Sequence, residues 1–378
     1  MMIVGWFRYP WQRRWLAMLC AVLAAALAFT PAAAQQAAAI DRAVAYIRTQ
    51  QQPDGSFAGL GPGSTADAVY ALAAAGVNVA EVQREGKNAI DYIRSQSAAA
   101  AQDVGLAAKF TIALLLAGQS PRLPEADFVA PILNGYDAAS GRFGKDVTAH
   151  AYALIALVAA GERVPPAAID ALKALQLPDG GWSFDGTAAT GSDTNTTSIA
   201  VQALIATGDR GEAVRRAVEY YRSQQNDDGG FPYSQSSPYG NASDANSTAL
   251  AIQALIAAGE DPNAWAKNGA TPIQRLLAFQ NSSGAFRYQD SLPEDNAFAT
   301  YQAVPALAGE TLPLESIAIA LPAPQPTPSV APQPTPAPQP PVVVPPTLPD
   351  TGLLDPTPVL ALLATALLSL GLLTRRRG

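Results

Sequence analysis

Cysteine and histidine are almost missing: the 378-residue chain has one of each, Cys20 and His150. A Cys/His zinc site of several ligands is therefore excluded, and so is a disulfide framework. Charge is also scarce, at 15% of residues, and basic charge is the smaller part, with 24 Lys+Arg against 31 Asp+Glu and a net charge of -7. That balance argues against nucleic acid as a partner. Low charge combined with 49% hydrophobic residues also excludes a wholly disordered chain.

The two ends read as processing and anchoring segments. Residues 1–34 have the order of a secretory signal: Arg8, Arg13 and Arg14, an apolar run from Trp15 to Phe29, then Ala32, Ala33 and Ala34 as a small-residue cleavage site for signal peptidase. The alternative is an uncleaved anchor, for which the run is short of the roughly 20 residues that a span needs. Cys20 lies in the apolar run, so the processed chain is expected to have no cysteine. At the other end, residues 322–347 form a Pro-rich linker of polyproline-II type. Residues 348–378 follow, with Leu348, Pro349, Asp350, Thr351 and Gly352, an apolar run from Val359 to Leu373, and Arg375, Arg376 and Arg377. LPDTG in this order resembles the sorting signal of sortase-anchored surface proteins. The resemblance implies cleavage between Thr351 and Gly352 and attachment to the cell wall. A permanent tail anchor in the membrane is the alternative. Both expectations make the protein extracellular.

Residues 35–321 repeat themselves. Gln51 to Phe57, Gln176 to Trp182, Gln225 to Phe231 and Gln280 to Phe286 share the pattern Gln, three residues, Gly, one residue, then Phe or Trp; Gly141 to Phe143 is a partial copy. A period of roughly 40–50 residues marks a repeat architecture. Each copy follows an amphipathic helical segment such as 39–50 or 213–224. Each leads into an Ala-rich apolar segment ending at Gly76, Gly118, Gly161, Gly208, Gly259 or Gly309, a helix C-cap signal. The expectation is an all-α fold: six helical hairpins, polar helices outside and apolar helices inside, closed into an (α/α)6 toroid that works as a monomer.

The Gln-to-aromatic repeats resemble the QW repeats of the terpene cyclase and protein prenyltransferase superfamily, over about residues 39–312. The resemblance implies that Gln and aromatic fasten each outer helix to the next inner one. Its enzymes imply further residues. Zinc-dependent prenyltransferases need an Asp, Cys and His set, and no Cys remains after processing. Class II cyclases use D-x-D-D with the middle Asp as the proton donor. Here Asp193-Thr194-Asn195-Thr196-Thr197 keeps only the first acid. The D-D-x-x-D motif of ionising cyclases is absent. Inner segments 193–208 and 244–259 lack the aromatics that would stabilise a carbocation. The ring also resembles cobalamin carriers, but a Pro-rich stalk stands where those have a closing β-rich domain.

Counting back from the helix-ending glycines places Asp103, Asp146, Asp193, Asp244 and Glu294 or Asp295 at one register. Thr148, Asn195, Asn246 and Asn296 share a second register, and Thr65, His150, Thr197 and Thr248 a third. Such residues at helix starts are N-caps, worth about 1 kcal/mol each. A ring of helix N-termini is also a polar mouth able to receive a ligand. The candidate ligand-binding residues are Asp103, Asp146, His150, Asp193, Asn195, Thr197, Asp244, Asn246, Thr248 and Asp295, with no metal, no cofactor and no catalytic residue. Gln202, Gln253 and Gln302 are expected to pack between repeats. Trp182, Tyr233 and Tyr239 have the chemistry for stacking on sugars. The leading functional expectation is non-catalytic binding of a small molecule or polymer at the mouth. The alternatives are a terpene-cyclase-like enzyme and a glycan-active surface enzyme.

Overall fold

The computed structural model describes residues 31–314 except Pro124 and Tyr239. The expected signal up to Thr30, the Pro-rich linker and LPDTG lie outside the described residues. Thirteen α-helices are described: α1 Pro31–Thr49, α2 Gly63–Ala74, α3 Ala89–Ser95, α4 Ser97–Ala100, α5 Val104–Leu116, α6 Val129–Asn134, α7 Val147–Ala159, α8 Pro166–Ala174, α9 Thr194–Ala206, α10 Glu212–Gln224, α11 Ala245–Ala257, α12 Pro272–Ala278 and α13 Ala297–Ala308. Four small antiparallel hairpins join them: β1 Gln83–Arg84 with β2 Lys87–Asn88, β3 Arg122–Leu123 with β4 Ala126–Asp127, β5 Tyr136–Asp137 with β6 Arg142–Phe143, and β7 Phe286–Gln289 with β8 Leu292–Asn296. No helix among the described residues is long and apolar enough to cross a membrane.

Helices α2, α5, α7, α9, α11 and α13 pack each on the next, and α13 returns to α2. That closes the ring, and the fold is an α/α toroid of six hairpins as the repeats predict. Helices α1, α3, α6, α8, α10 and α12 lie against this inner ring. Sequence decides the layer. Every residue of α11 except Ile256 is buried, which an Ala/Ile/Leu helix tolerates on all sides. Helix α10 instead buries only Ala213, Val214, Ala217, Tyr220, Tyr221 and Gln224, one stripe at helical spacing. Each large side chain so buried contributes about 1.5–3 kcal/mol. The inner helices end as expected: at Gly259, φ is +87° and Glu260 N–H donates to Leu255 O at 2.9 Å, a Schellman ending.

The Gln of each repeat does not fasten outer to inner helix, which corrects what the resemblance implies. Gln176 Nε2 donates to Ala213 O at 2.7 Å on the next outer helix. Gln225 Nε2 donates to Trp265 O at 2.7 Å and Gln51 Nε2 to Val82 O at 3.0 Å, both just ahead of the next outer helix. Gln280 Nε2 donates to Ala39 O at 2.8 Å, tying the sixth repeat to the first. The turn glycine makes this approach possible. At Gly284, φ is +92°, and a Cβ there would stand 2.4 Å from Arg42 O. The aromatic does link to the inner helix, but to that of its own repeat and through its backbone. The N–H groups of Phe57, Trp182, Phe231 and Phe286 donate to Thr65, Thr197, Thr248 and Thr300 Oγ1 at 3.1, 2.9, 3.0 and 2.9 Å.

Candidate functional site

The inner-helix N-termini gather at one mouth of the ring. Asp103, Asp146, Asp193 and Asp244 cap α5, α7, α9 and α11, accepting from the N–H three residues on at 3.0, 2.7, 2.7 and 2.7 Å. In the sixth repeat Asn296 is the cap, accepting from Ala299 N at 2.8 Å. Glu294 and Asp295 fall instead in the exposed strand β8, where Asp295 accepts from Asn281 Nδ2 and Ser283 Oγ at 2.8 Å each. The hairpin of β7 and β8 displaces them from the helix start, so Asp295 is not a rim acid.

His150 is enclosed. It is fully buried, Nδ1 accepts from Phe143 N at 3.0 Å, and Nε2 lies 3.0 Å from Ala168 O. The two bonds fix a neutral ring protonated at Nε2, and burial pushes its pKa down to about 4. It performs the role that Thr197 and Thr248 perform in their repeats, and adds a bond to the neighbouring outer helix. Both ring nitrogens are thereby committed to main chain. Trp182, considered for sugar stacking, is also fully buried, with Nε1 donating to Leu172 O at 2.8 Å. Tyr239 lies outside the described residues.

Asp193 and Asp244 differ from the other caps. Each is 1% exposed. Burial pushes Asp193 up to about 6, against bonds from Thr196 and the Tyr233 hydroxyl that lower it. Burial pushes Asp244 up to about 7, against bonds from Ser247 and backbone N–H groups. Asp193 Oδ2 completes no hydrogen bond of good geometry, although the Tyr233 hydroxyl stands close. Asn195 Oδ1 and Asn246 Oδ1 are also buried without a partner. Burial raises Asp146 too, with the charge of Asp103 adding to it.

Tyr233 joins the two buried acids. Its hydroxyl faces Asp193, its backbone N–H faces Asp244, and its carbonyl accepts from Thr194 N at 2.8 Å. The residue as a whole is 42% exposed. Phe184, itself 44% exposed, repeats the backbone bond one hairpin earlier, its carbonyl accepting from Val147 N at 2.9 Å. Tyr288 lies near Asp244; burial raises the tyrosine pKa, and the charge of Asp244 adds to the rise. Aromatics thus border the acids, although the inner helices α9 and α11 supply none. They come from a second aromatic two residues after the repeat aromatic: Trp182 and Phe184, Phe231 and Tyr233, Phe286 and Tyr288. That doubled spacing is the sequence signal that could have located them.

Farther along the inner helices, the backbone after α13 reaches α9, with Leu312 N donating to Gln202 Oε1 at 2.8 Å. Gln253 Nε2 donates to Gln302 O at 3.3 Å, and Tyr70 donates to Gln253 Oε1 at 3.3 Å. Gln253 and Gln302 therefore link adjacent inner helices, while Gln202 holds the segment after α13. A polar hollow of about 790 Å³ lies among the repeat turns that lead to Asp244, lined by Gln225, Asn226, Gln235, Ser243, Lys267 and Arg275 among others.

Comparison with known proteins follows the fold. Residues 136–292 match the squalene-hopene cyclase C-terminal domain, and residues 3–109 match the prenyltransferase alpha-alpha toroid domain. The chain is 35% identical over 210 residues to drimenyl diphosphate synthase of Streptomyces showdoensis, covering 53% of this chain and 38% of that protein. It therefore spans about two fifths of the length of that relative. Among solved structures, the type II terpene cyclase MstE from Scytonema, in complex with geranylgeranyl dihydroxybenzoate, matches with a TM-score of 0.53 at 16% identity, covering 77% of this chain and 99% of that one. The same cyclase with merosterolic acid A matches with a TM-score of 0.54 at 16% identity, covering 74% and 98%. These three matches overturn the expectation of non-catalytic binding in favour of the terpene-cyclase alternative that the repeats had left open.

Proposed function

We propose that the chain is a terpene-cyclase-like protein that starts ring closure by protonating a linear prenyl substrate, with Asp193 as the acid. One observation carries this reading: Asp193 is a buried carboxyl, pushed toward neutrality, with an oxygen left without a good hydrogen bond beside an exposed tyrosine. A neutral carboxylic acid is the form that gives a proton to an alkene. The sequence pattern had sought the acid at the middle position of D-x-D-D, where Asn195 stands. The support here is for the first position instead. Asp193 would transfer its proton to a terminal double bond. The next double bond would attack the resulting cation to close a ring, and loss of a proton from the product side would end the reaction. Tyr233, Phe184 and Tyr288 offer π-faces to positive charge.

The test is turnover. Purified protein incubated with linear prenyl diphosphates and with a geranylgeranyl-bearing aromatic acid should give cyclic products by gas chromatography–mass spectrometry. Asp193→Asn, which keeps the cap, should lower their yield by about 10²-fold or more. Cyclic products formed equally by Asp193→Asn would remove Asp193 from the reaction, and their absence from every substrate would refute the cyclase reading. We further propose that the toroid acts outside the cell on a Pro-rich stalk, a reading supported by the order of signal, stalk and LPDTG. Mass spectrometry of the surface-attached form should end at Thr351; an intact Arg377 would refute cleavage.

A further inference from the structure

The polar hollow among the repeat turns has no part in the proposed cyclisation. It lies between outer helices α10 and α12, bounded by the turn at 226–228, the loop at 241–243 and the tip of the β7–β8 hairpin at Asp290. At about 790 Å³ it has the size of a small-molecule site. Side-chain bonds fix its walls. Gln235 Nε2 donates to Gln224 O at 2.8 Å and to Asn226 Oδ1 at 2.7 Å, and its Oε1 accepts from Asn241 Nδ2 at 2.9 Å. Asn226 Nδ2 donates to Ser243 Oγ at 2.9 Å, and Ser243 Oγ donates to Asp228 Oδ1 at 2.7 Å. The Phe279 ring backs Arg275, with 4.0 Å between its centre and the guanidinium carbon. Part of this set exceeds what the turn needs. The fourth repeat closes the same turn with the same bond, Ser192 Oγ to Asp179 Oδ1 at 2.7 Å, yet has Leu177 and Pro178 where the fifth has Asn226 and Asp227. Asp227 is thus not demanded by the fold, and its side chain stands exposed at the hollow.

These groups select a ligand. Of the described lining residues only Ala242 lacks a polar side chain, so a hydrocarbon chain would find little apolar surface to cover. Lys267 Nζ lies 3.6 Å from Asp227 Oδ1. Arg275 Nε lies 2.9 Å from Asp228 Oδ2, and its Nη2 lies 2.6 Å from Asp290 Oδ2. Two cations against three carboxylates leave no positive surplus for a phosphate, and the same cations oppose a metal ion. The hollow does keep hydrogen-bonding capacity of both kinds, since a carboxylate offers about four acceptor sites and an ammonium three donors. A neutral ligand with adjacent hydroxyls uses both. Each hydroxyl donates to a carboxylate and accepts from an N–H, and two neighbours on one ring match the two oxygens of a carboxylate. We propose that the hollow binds a saccharide, with Asp227 and Asp290 accepting from its hydroxyls and Lys267 and Arg275 donating to them. The site is separate from Asp193 and does not depend on the cyclase reading.

The test reads binding. Saturation-transfer NMR and native mass spectrometry of the full chain would compare glucose, maltose, cellobiose and an N-acetylglucosamine disaccharide with inorganic phosphate and diglycine. At least one saccharide should bind, and more tightly than phosphate or diglycine. Asp227→Ala and Asp290→Ala should each weaken it about tenfold or more. Asp227→Ala should keep the native urea midpoint, so that its loss of binding is not a loss of fold. Tighter binding of phosphate would make the hollow an anion site, and tighter binding of diglycine a peptide site; either overturns the assignment. So would saccharide binding left unchanged by either substitution, or no saccharide bound at about 10 mM. Saccharide binding by a protein that forms no cyclic product would refute the cyclase reading alone.

Discussion

Replacing Asp244 by Asn should make the protein more stable at alkaline pH and leave it unchanged at acid pH. The carboxyl is raised from its ordinary 3.8 to about 7 in the fold. Between those values the unfolded chain has already released its proton while the folded chain still holds it. The stability that the neutral acid confers is therefore fully present below about pH 4 and lost as pH rises through 7. At about 1.4 kcal/mol per tenfold displacement of the proton equilibrium, the ionised form costs about 4 kcal/mol. Asp193, raised to about 6, costs about 3 kcal/mol on the same scale. Asn is close to isosteric with the neutral acid. In Asp244→Asn the Oδ1 can still accept from Ser247 N, and Nδ2 can donate to Ser247 Oγ, which lies 2.8 Å from Asp244 Oδ2. The assay is urea unfolding at pH 4 and pH 8.5, comparing native protein, each single variant and Asp193→Asn/Asp244→Asn. The gain at pH 8.5 should be about 3–4 kcal/mol for Asp244→Asn, and larger for the pair but short of the sum, since Tyr233 couples the two sites. Parallel stability curves for native and variant proteins across this range would refute the argument, because they would mean that neither acid is held neutral by the fold.

Further outcomes follow from the geometry. His150→Ala leaves Phe143 N–H buried without a partner and removes the second bond to Ala168 O, and should cost about 1–3 kcal/mol in urea unfolding. His150→Thr should restore the Phe143 bond alone and recover part of that loss. The His150 ring is held neutral down to about pH 4. Its contribution is therefore present above pH 6.5 and lost as pH falls toward 4, opposite in sense to the two acids, and removing it should flatten the acid limb of the stability profile. Gly284→Ala meets both a positive φ and the Arg42 carbonyl. It should lower stability by about 3 kcal/mol or more, whereas Gly259→Ala, with open space around it, should cost only about 1–2 kcal/mol from the backbone.

The parts legible in the sequence are those decided locally. The Asp caps at 103, 146, 193 and 244 follow from the chemistry of a helix start, and each accepts from the N–H three residues on. The sixth cap escaped because the β7–β8 hairpin lengthens the approach to α13, moving the helix start to Asn296 while the terminal glycine kept its place. His150 was readable as a substitute for Thr. Its second bond was not, because Ala168 comes from another hairpin. The repeat glutamines were readable as fasteners, but their targets lie 31 to 241 residues away. What separates Asp193 and Asp244 from the solvent-facing Asp103 is cover from following loops, through Tyr233 and its neighbours. No register within one helix records that cover, so the search for an acid stopped at the missing middle Asp of the motif.

The bond from Gln280 to Ala39 also constrains how this architecture can change. In an open solenoid a repeat can be gained or lost at either end, because each unit answers only to its neighbours. Here the sixth unit completes the first. A five- or seven-unit descendant would leave Gln280 facing a gap or an intruder, and α13 could not reach α2. Copy number is thus locked by closure, and variation is channelled into the loops between helices. Phe184, Tyr233 and Tyr288 all lie in those connections.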